Sequence, residues 1–128
     1  MAQHSRYRVK RVYDAPDAAD GRRVLVDRLW PRGVSKTAAH IDEWAKDVTP
    51  SNELRKWMHA DPDARRVEFE ERYRAELAGP EQQEGLRRLR AEAAEGPLTL
   101  ITAVRDEQHS HLPTLLAELG ETPGKPRR

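Results

Sequence analysis

The stretch Val24-Leu25-Val26-Asp27-Arg28-Leu29-Trp30-Pro31-Arg32-Gly33 runs from three consecutive apolar residues straight into a charged loop. Side chains alternate between the two faces of a strand. Apolar residues at consecutive positions therefore need cover on both faces, as in a parallel α/β sheet. Asp27 and Arg28 follow with no polar lead-in. Pro31 fixes its own φ and biases Trp30 toward an extended backbone. Arg32 and Gly33 close the loop. An acid, two arginines and an indole thus stand at the carboxyl end of a strand, the edge where open α/β sheets bind ligands.

Before this stretch, Tyr7 to Tyr13 alternate in character and predict a first strand, with enough charge to suit a sheet edge. Residues 14–21 carry turn chemistry, and the second strand covers Arg23 to Val26. Met1 to Arg6 read as a loose start. After the loop, Ser35 can cap a helix in which Ile41, Trp44, Ala45 and Val48 recur at helical spacing. A second helix starts at Thr49 or Ser51 and turns Leu54 and Trp57 or Met58 inward, with Arg55, Lys56 and His59 nearby. Asp61-Pro62 opens a third, with a seam of Phe69, Tyr73 and Leu77. Gly79-Pro80 opens a fourth, with Leu86, Leu89 and Ala93 inward. Trp44, Trp57, Phe69 and Tyr73 are read as core. Gly96-Pro97 stops the helical run.

Leu98 to Val104 is uncharged and rich in strand formers, the best central strand in the chain. The loop Arg105 to His111 leaves it. Ser110 can cap a last helix that turns Leu112, Leu115, Leu116 and Leu119 inward. The order predicts one small α/β domain over residues 1–120, with a short, mostly parallel sheet of about three to four strands flanked by helices. Residues 121–128 read as a disordered tail.

Composition bounds the function. A chain of 128 residues with 35% charged side chains predicts a small core under a charged surface. The net charge of +1 argues against a dedicated duplex-DNA binder. Charge is uneven: residues 1–36 sum to +5 and residues 61–95 to −3. The acidic half suits ordinary solvated helices; the basic first third suits an anion. Cysteine is absent, which removes disulfides, thiolate zinc sites and thiol nucleophiles. No apolar leader or membrane-length run is seen, so a cytoplasmic protein without membrane contact is expected.

If the strands at 23–26 and 98–104 are neighbours, their outgoing loops share one edge. The first offers Asp27, Arg28, Trp30 and Arg32. The second offers Arg105, Asp106, His109, Ser110 and His111 at a helix start, where amides and the dipole attract anions. Arginine forks grip carboxylate or phosphate. Asp27, Asp106 and His109 are the candidate acid/base groups. Arg28, Trp30, Arg32, Arg55, Arg105, Ser110 and His111 are the candidate ligand contacts. The bland alternatives are Arg28 pairing with Asp27, Arg105 pairing with Asp106, and Trp30 as a packing lid. His109, His111, Asp106 and Asp27 are also metal-ligand types, but their spacing closes no set, and a metal site ranks below anion binding. No Gly-rich phosphate loop and no Gly-x-Ser-x-Gly elbow is present.

Lys10-Arg11-Val12-Tyr13-Asp14, Asp20-Gly21 and Asp27-Arg28-Leu29-Trp30-Pro31-Arg32-Gly33 resemble the YeaO-like proteins, a bacterial family of unknown function. Trp44, the run Pro50 to Trp57, Phe69-x-x-x-Tyr73 and the strand and loop from Leu98 to His111 extend the resemblance over all but the two tails. It implies one compact α/β domain and supplies no established activity, mechanism or cofactor. Some related sequences are labelled transcriptional regulators, but no recognition-helix pattern supports that here. Relatives tend to show Lys-Asp-x-x-His-Asn after the last strand, and an aromatic within it. This chain has Arg105-Asp106-Glu107-Gln108-His109-Ser110, with Thr102 in the strand. The positive charge and a capping group are kept, and the amide is lost.

The leading expectation is an anionic small molecule, a phosphate ester or nucleotide, bound at the joined loops, with catalysis left open. A non-catalytic module is the alternative, contacting protein or nucleic acid through the basic first third or the Lys125-Pro126-Arg127-Arg128 tail. A metal-dependent hydrolase is the third.

Overall fold

The computed structural model describes residues 7–120. The loose start at Met1 to Arg6 and the tail at 121–128 lie outside the described residues. Four strands form one fully parallel sheet: β1 (Tyr7–Arg11), β2 (Arg22–Leu25), β3 (Glu43–Trp44) and β4 (Leu98–Thr102), in the order β1-β4-β2-β3. Val24 stands beside Leu100 and Leu25 beside Ile101. The expected neighbours are therefore paired, β4 is central, and charged β1 takes an edge.

The consecutive apolar residues of β2 and β4 do divide between two faces. Val24, Val26, Leu98 and Leu100 join the main core beneath the helices, with Leu54, Phe69, Tyr73, Leu77, Leu86, Leu89, Leu112 and Leu115. Leu25 and Ile101 meet a thinner layer with Val12 and Ala39, against which Trp30, Val34, Ile41 and Trp44 pack. A buried side chain of this size contributes about 1.5–3 kcal/mol. The main core thus carries most of the apolar stabilisation, and the thinner layer holds the loop after β2 in place.

Five helices follow: α1 (Lys36–Ala39), α2 (Asn52–Ala60), α3 (Pro62–Leu77), α4 (Pro80–Glu95) and α5 (Leu112–Glu118). Ser51, not Thr49, caps α2: its hydroxyl accepts from the Leu54 amide at 3.1 Å and donates to Glu76 of α3 at 2.6 Å. The predicted seams on α3 and α4 are buried.

One predicted helix is overturned. The spacing of Ile41, Trp44, Ala45 and Val48 suits a helix, yet α1 is a single turn ending at His40, which takes a left-handed φ of 51°. The next residues are recruited by the open edge of β2. The Asp42 amide donates to the Arg23 carbonyl, the Arg23 amide donates to the Asp42 carboxylate, and the Ala45 amide donates to the Leu25 carbonyl, each at 2.8 Å. Unpaired ladder groups on β2 outweigh a periodicity that a two-residue strand and a 3-10 turn over Lys46–Val48 satisfy equally well. Trp44 is accordingly a half-buried strand residue, and Trp57 is half-buried between the guanidinium groups of Arg65 and Arg72.

The turn before β2 holds a buried charge cluster. The Asp20 carboxylate accepts from Lys10 at 3.0 Å and from Arg23. Arg23 also donates to the Ala39 and His40 carbonyls, which anchors the end of α1. Among the described residues no helix is long and apolar enough to cross a membrane.

Candidate functional site

A cleft of about 420 Å³ opens at the carboxyl edge of the sheet. Its floor is the loop after β2, Asp27 to Arg32. One wall is α2 and the start of α3, through Pro50, Arg55, Met58, His59, Pro62 and Phe69. The other is the exit of β4, through Ala103, His109, Ser110 and His111. Eight of the ten residues singled out from the sequence line it; Arg105 and Asp106 do not.

Asp27 is the carboxylate among the lining residues, and both its oxygens are engaged. One accepts from Thr102 Oγ1 at 2.7 Å and the other from the Ala103 amide at 2.8 Å. Its own carbonyl accepts from Trp44 Nε1 at 2.8 Å. Asp27 therefore ties the exits of β2, β3 and β4 together. Each oxygen is thereby held to the exit of β4, so the carboxylate serves as a structural tie.

The cations are differently placed. Arg28 does not pair with Asp27. Its Nε and Nη2 donate to the Pro50 and Thr49 carbonyls at 3.2 and 3.3 Å, which aims the guanidinium along the wall at the head of α2. The Arg55 guanidinium donates to Asn52 Oδ1 at 3.2 Å. Arg32 is exposed, and its backbone carbonyl accepts from the Tyr13 hydroxyl at 3.5 Å. Among the described residues none of these three arginines has a carboxylate within ion-pair distance. Trp30 packs edge-on against Trp44 with centroids 5.4 Å apart, and its indole N–H donates to the Val34 carbonyl at 2.7 Å. It pins the loop and lines the cleft.

Two histidines have defined partners. His111 is buried, and its Nε2 donates to the Val26 carbonyl at 2.7 Å. A carbonyl only accepts, so Nε2 carries the hydrogen and Nδ1 is the bare acceptor. Burial pushes this ring below its ordinary value, against the upward pull of the Val26 carbonyl and of Asp27. His109 is exposed, with Nδ1 2.5 Å from Asp106. The His109 hydrogen bond holds the Asp106 carboxyl below its usual range. Asp106 thus orients a lining residue without lining the cleft itself, and it pairs with His109 rather than with Arg105. Ser110 is engaged in both directions: its hydroxyl donates to the Glu107 carbonyl and accepts from the Leu112 amide. The first amide of the short α5 is therefore taken, and the helix start adds no separate anion site.

The α2–α3 wall was only partly legible. Arg55, Met58 and His59 fall at i, i+3 and i+4, so one helical face carries them to the cleft. That spacing was available in the sequence. What faced it was not. Among the described residues no group of three or more metal-ligating side chains is gathered.

A family model described as the inactive DUF488-N3 subclade matches residues 6–124. The chain is 49% identical to the uncharacterized protein YeaO of Escherichia coli over 102 residues, 80% of this chain and 86% of that protein. It is 43% identical over 119 residues to uncharacterized proteins of Mycobacterium bovis and Mycobacterium tuberculosis, covering 93% of this chain and 97% of each. No solved structure matches.

Proposed function

Because this chain belongs to the YeaO-like family described as the inactive DUF488-N3 subclade, we propose that it binds an anionic small molecule, a phosphate ester or nucleotide, without turning it over. The observation that carries this reading is the charge of the cleft. Arg28, Arg32 and Arg55 line it with no carboxylate partner among the described residues, and the lining carboxylate, Asp27, is committed to Thr102 and Ala103. Arg28, held by the Thr49 and Pro50 carbonyls, keeps its full charge and needs little rearrangement to take an oxyanion. The family description supports binding over catalysis, as does the engagement of both Asp27 oxygens.

A thermal-shift titration of the purified chain with phosphate esters and nucleotides tests this. A ligand at about one hundred times its dissociation constant adds about 2.7 kcal/mol to stability. The shift should weaken in Arg32→Ala and Arg55→Ala and fall with added salt. No shift with any anion would refute the reading. The exposed Asp106–His109 pair favours a second reading, in which His109 acts as a general base on the bound ester. Release of inorganic phosphate by the wild type, lost in His109→Ala, would establish it.

A further inference from the structure

The cleft is not lined only by cations. Leu29, Pro31, Pro50, Met58 and Phe69 also line it, and Leu29 is 56% exposed in a loop that is otherwise pinned. A bare oxyanion held by the arginines would leave this apolar wall facing water. A ligand with an apolar face would cover it.

A third kind of group faces the same space. His111 Nδ1 has no hydrogen-bond partner among the described residues. His111 lines the cleft, and Nδ1 is the ring nitrogen left free by the bond to Val26. The Val26 carbonyl holds the hydrogen on Nε2, which makes Nδ1 a fixed acceptor. It fits a donor on the ligand and does not fit another phosphate oxygen.

We propose that the cleft takes a nucleoside 5′-monophosphate, with the arginines on the phosphate, the apolar wall on the base, and His111 Nδ1 accepting a hydrogen bond from an N–H or O–H of the nucleoside. This rests on the anion-binding reading and names its ligand class. His111 is then a specificity residue. It distinguishes ligands by a donor, as the arginines distinguish them by charge.

Isothermal titration of the full chain with inorganic phosphate, phenyl phosphate, ribose 5-phosphate and AMP separates these contributions. Phenyl phosphate has the head and an apolar body without a donor. Ribose 5-phosphate has the head and donors without an apolar face. AMP should bind tightest, about tenfold tighter than phenyl phosphate, as expected for one added hydrogen bond. His111→Gln keeps an amide N–H for the Val26 carbonyl and removes the acceptor at Nδ1. It should bring AMP to the level of phenyl phosphate and leave inorganic phosphate unchanged. AMP no tighter than phenyl phosphate, ribose 5-phosphate equal to AMP, or an unaffected His111→Gln would each overturn the proposal while leaving anion binding intact. Binding of none of the four probes would instead sink the anion reading itself. If His111→Gln fails to fold, the wild type still decides. The ¹⁵N resonance of His111 Nδ1 should move on AMP addition and stay still with inorganic phosphate; no movement with AMP overturns the assignment.

Discussion

The Asp27 carboxylate accepts a hydrogen bond from Thr102 Oγ1 at 2.7 Å, across 75 residues of sequence, and so joins the exit of β2 to the exit of β4. The second oxygen repeats the tie through the Ala103 amide. Both donors are part-buried, so removing the acceptor leaves them unsatisfied, at about 1–3 kcal/mol each. Asp27→Ala should therefore lower unfolding stability by about 2–4 kcal/mol, and Asp27→Asn by about 1–3, because an amide can serve only one of the two donors. Urea midpoints test this. Unchanged midpoints with lost ligand binding would return Asp27 to a purely functional role.

Arg28 and Arg32 should separate. Arg28 holds the Thr49 and Pro50 carbonyls, so Arg28→Ala should cost about 1–2 kcal/mol of stability as well as ligand affinity. Arg32 is exposed and among the described residues its side chain makes no hydrogen bond, so Arg32→Ala should stay within about 0.5 kcal/mol of wild type while weakening anion binding. Paired denaturation and titration curves give both numbers for each variant. Equal stability losses would contradict the geometry.

His111 sets an acid limit. Its ring is pushed below the ordinary value of 6.5 by burial, with Asp27 and Arg55 the charged groups acting on it and the Tyr73 ring against it. Below pH 6.5 the unfolded chain takes up a proton that the folded chain refuses, so stability falls as pH drops from there toward the folded-state value. His111→Gln should flatten that part of the stability–pH curve. The effect is separable from Asp20. Burial alone would raise that carboxyl, but Lys10, the Asp17 amide and Arg23 together pull it below its ordinary 3.8, and its loss comes only under that pH. An unchanged slope below pH 6.5 in His111→Gln would refute the assignment.

Gly21 is irreplaceable for two reasons. Its φ is +66°, and a Cβ there would lie 2.3 Å from the Pro97 carbonyl oxygen, which accepts the Arg22 amide at the start of β2. Neither backbone can give way without breaking that pairing. Gly21→Ala should lower stability by more than about 2 kcal/mol. Gly33, with φ +78° and open space around it, should show only the smaller conformational cost, about 1–2 kcal/mol. Thermal melts of the two variants side by side test the difference.

The parallel sheet, its helical crossover and the pairing of β2 with β4 were legible because a strand covered on both faces must be apolar at consecutive positions. Val24-Leu25-Val26 and Leu100-Ile101 have that pattern. The helix seams at Phe69, Tyr73 and Leu77 and at Leu86, Leu89 and Ala93 were legible for the same reason at the helical period. The third strand was not. Glu43-Trp44 carries no strand signal of its own and pairs only because β2 leaves open an edge that the local sequence cannot see.

The site divides along the same line. Sequence by itself determined which chemical groups reach the sheet edge, since a strand must deliver the residues that follow it to its carboxyl end. Tertiary structure decided what those groups are free to do. Asp27 and Arg28 are adjacent and opposite in charge, yet they do not pair. Thr102 and Ala103 claim the carboxylate from one side, and the Thr49 and Pro50 carbonyls claim the guanidinium from the other. Hydrogen-bond partners that come from distant parts of the chain determine whether a charge is spent on the fold or left for a ligand, and local sequence does not contain them.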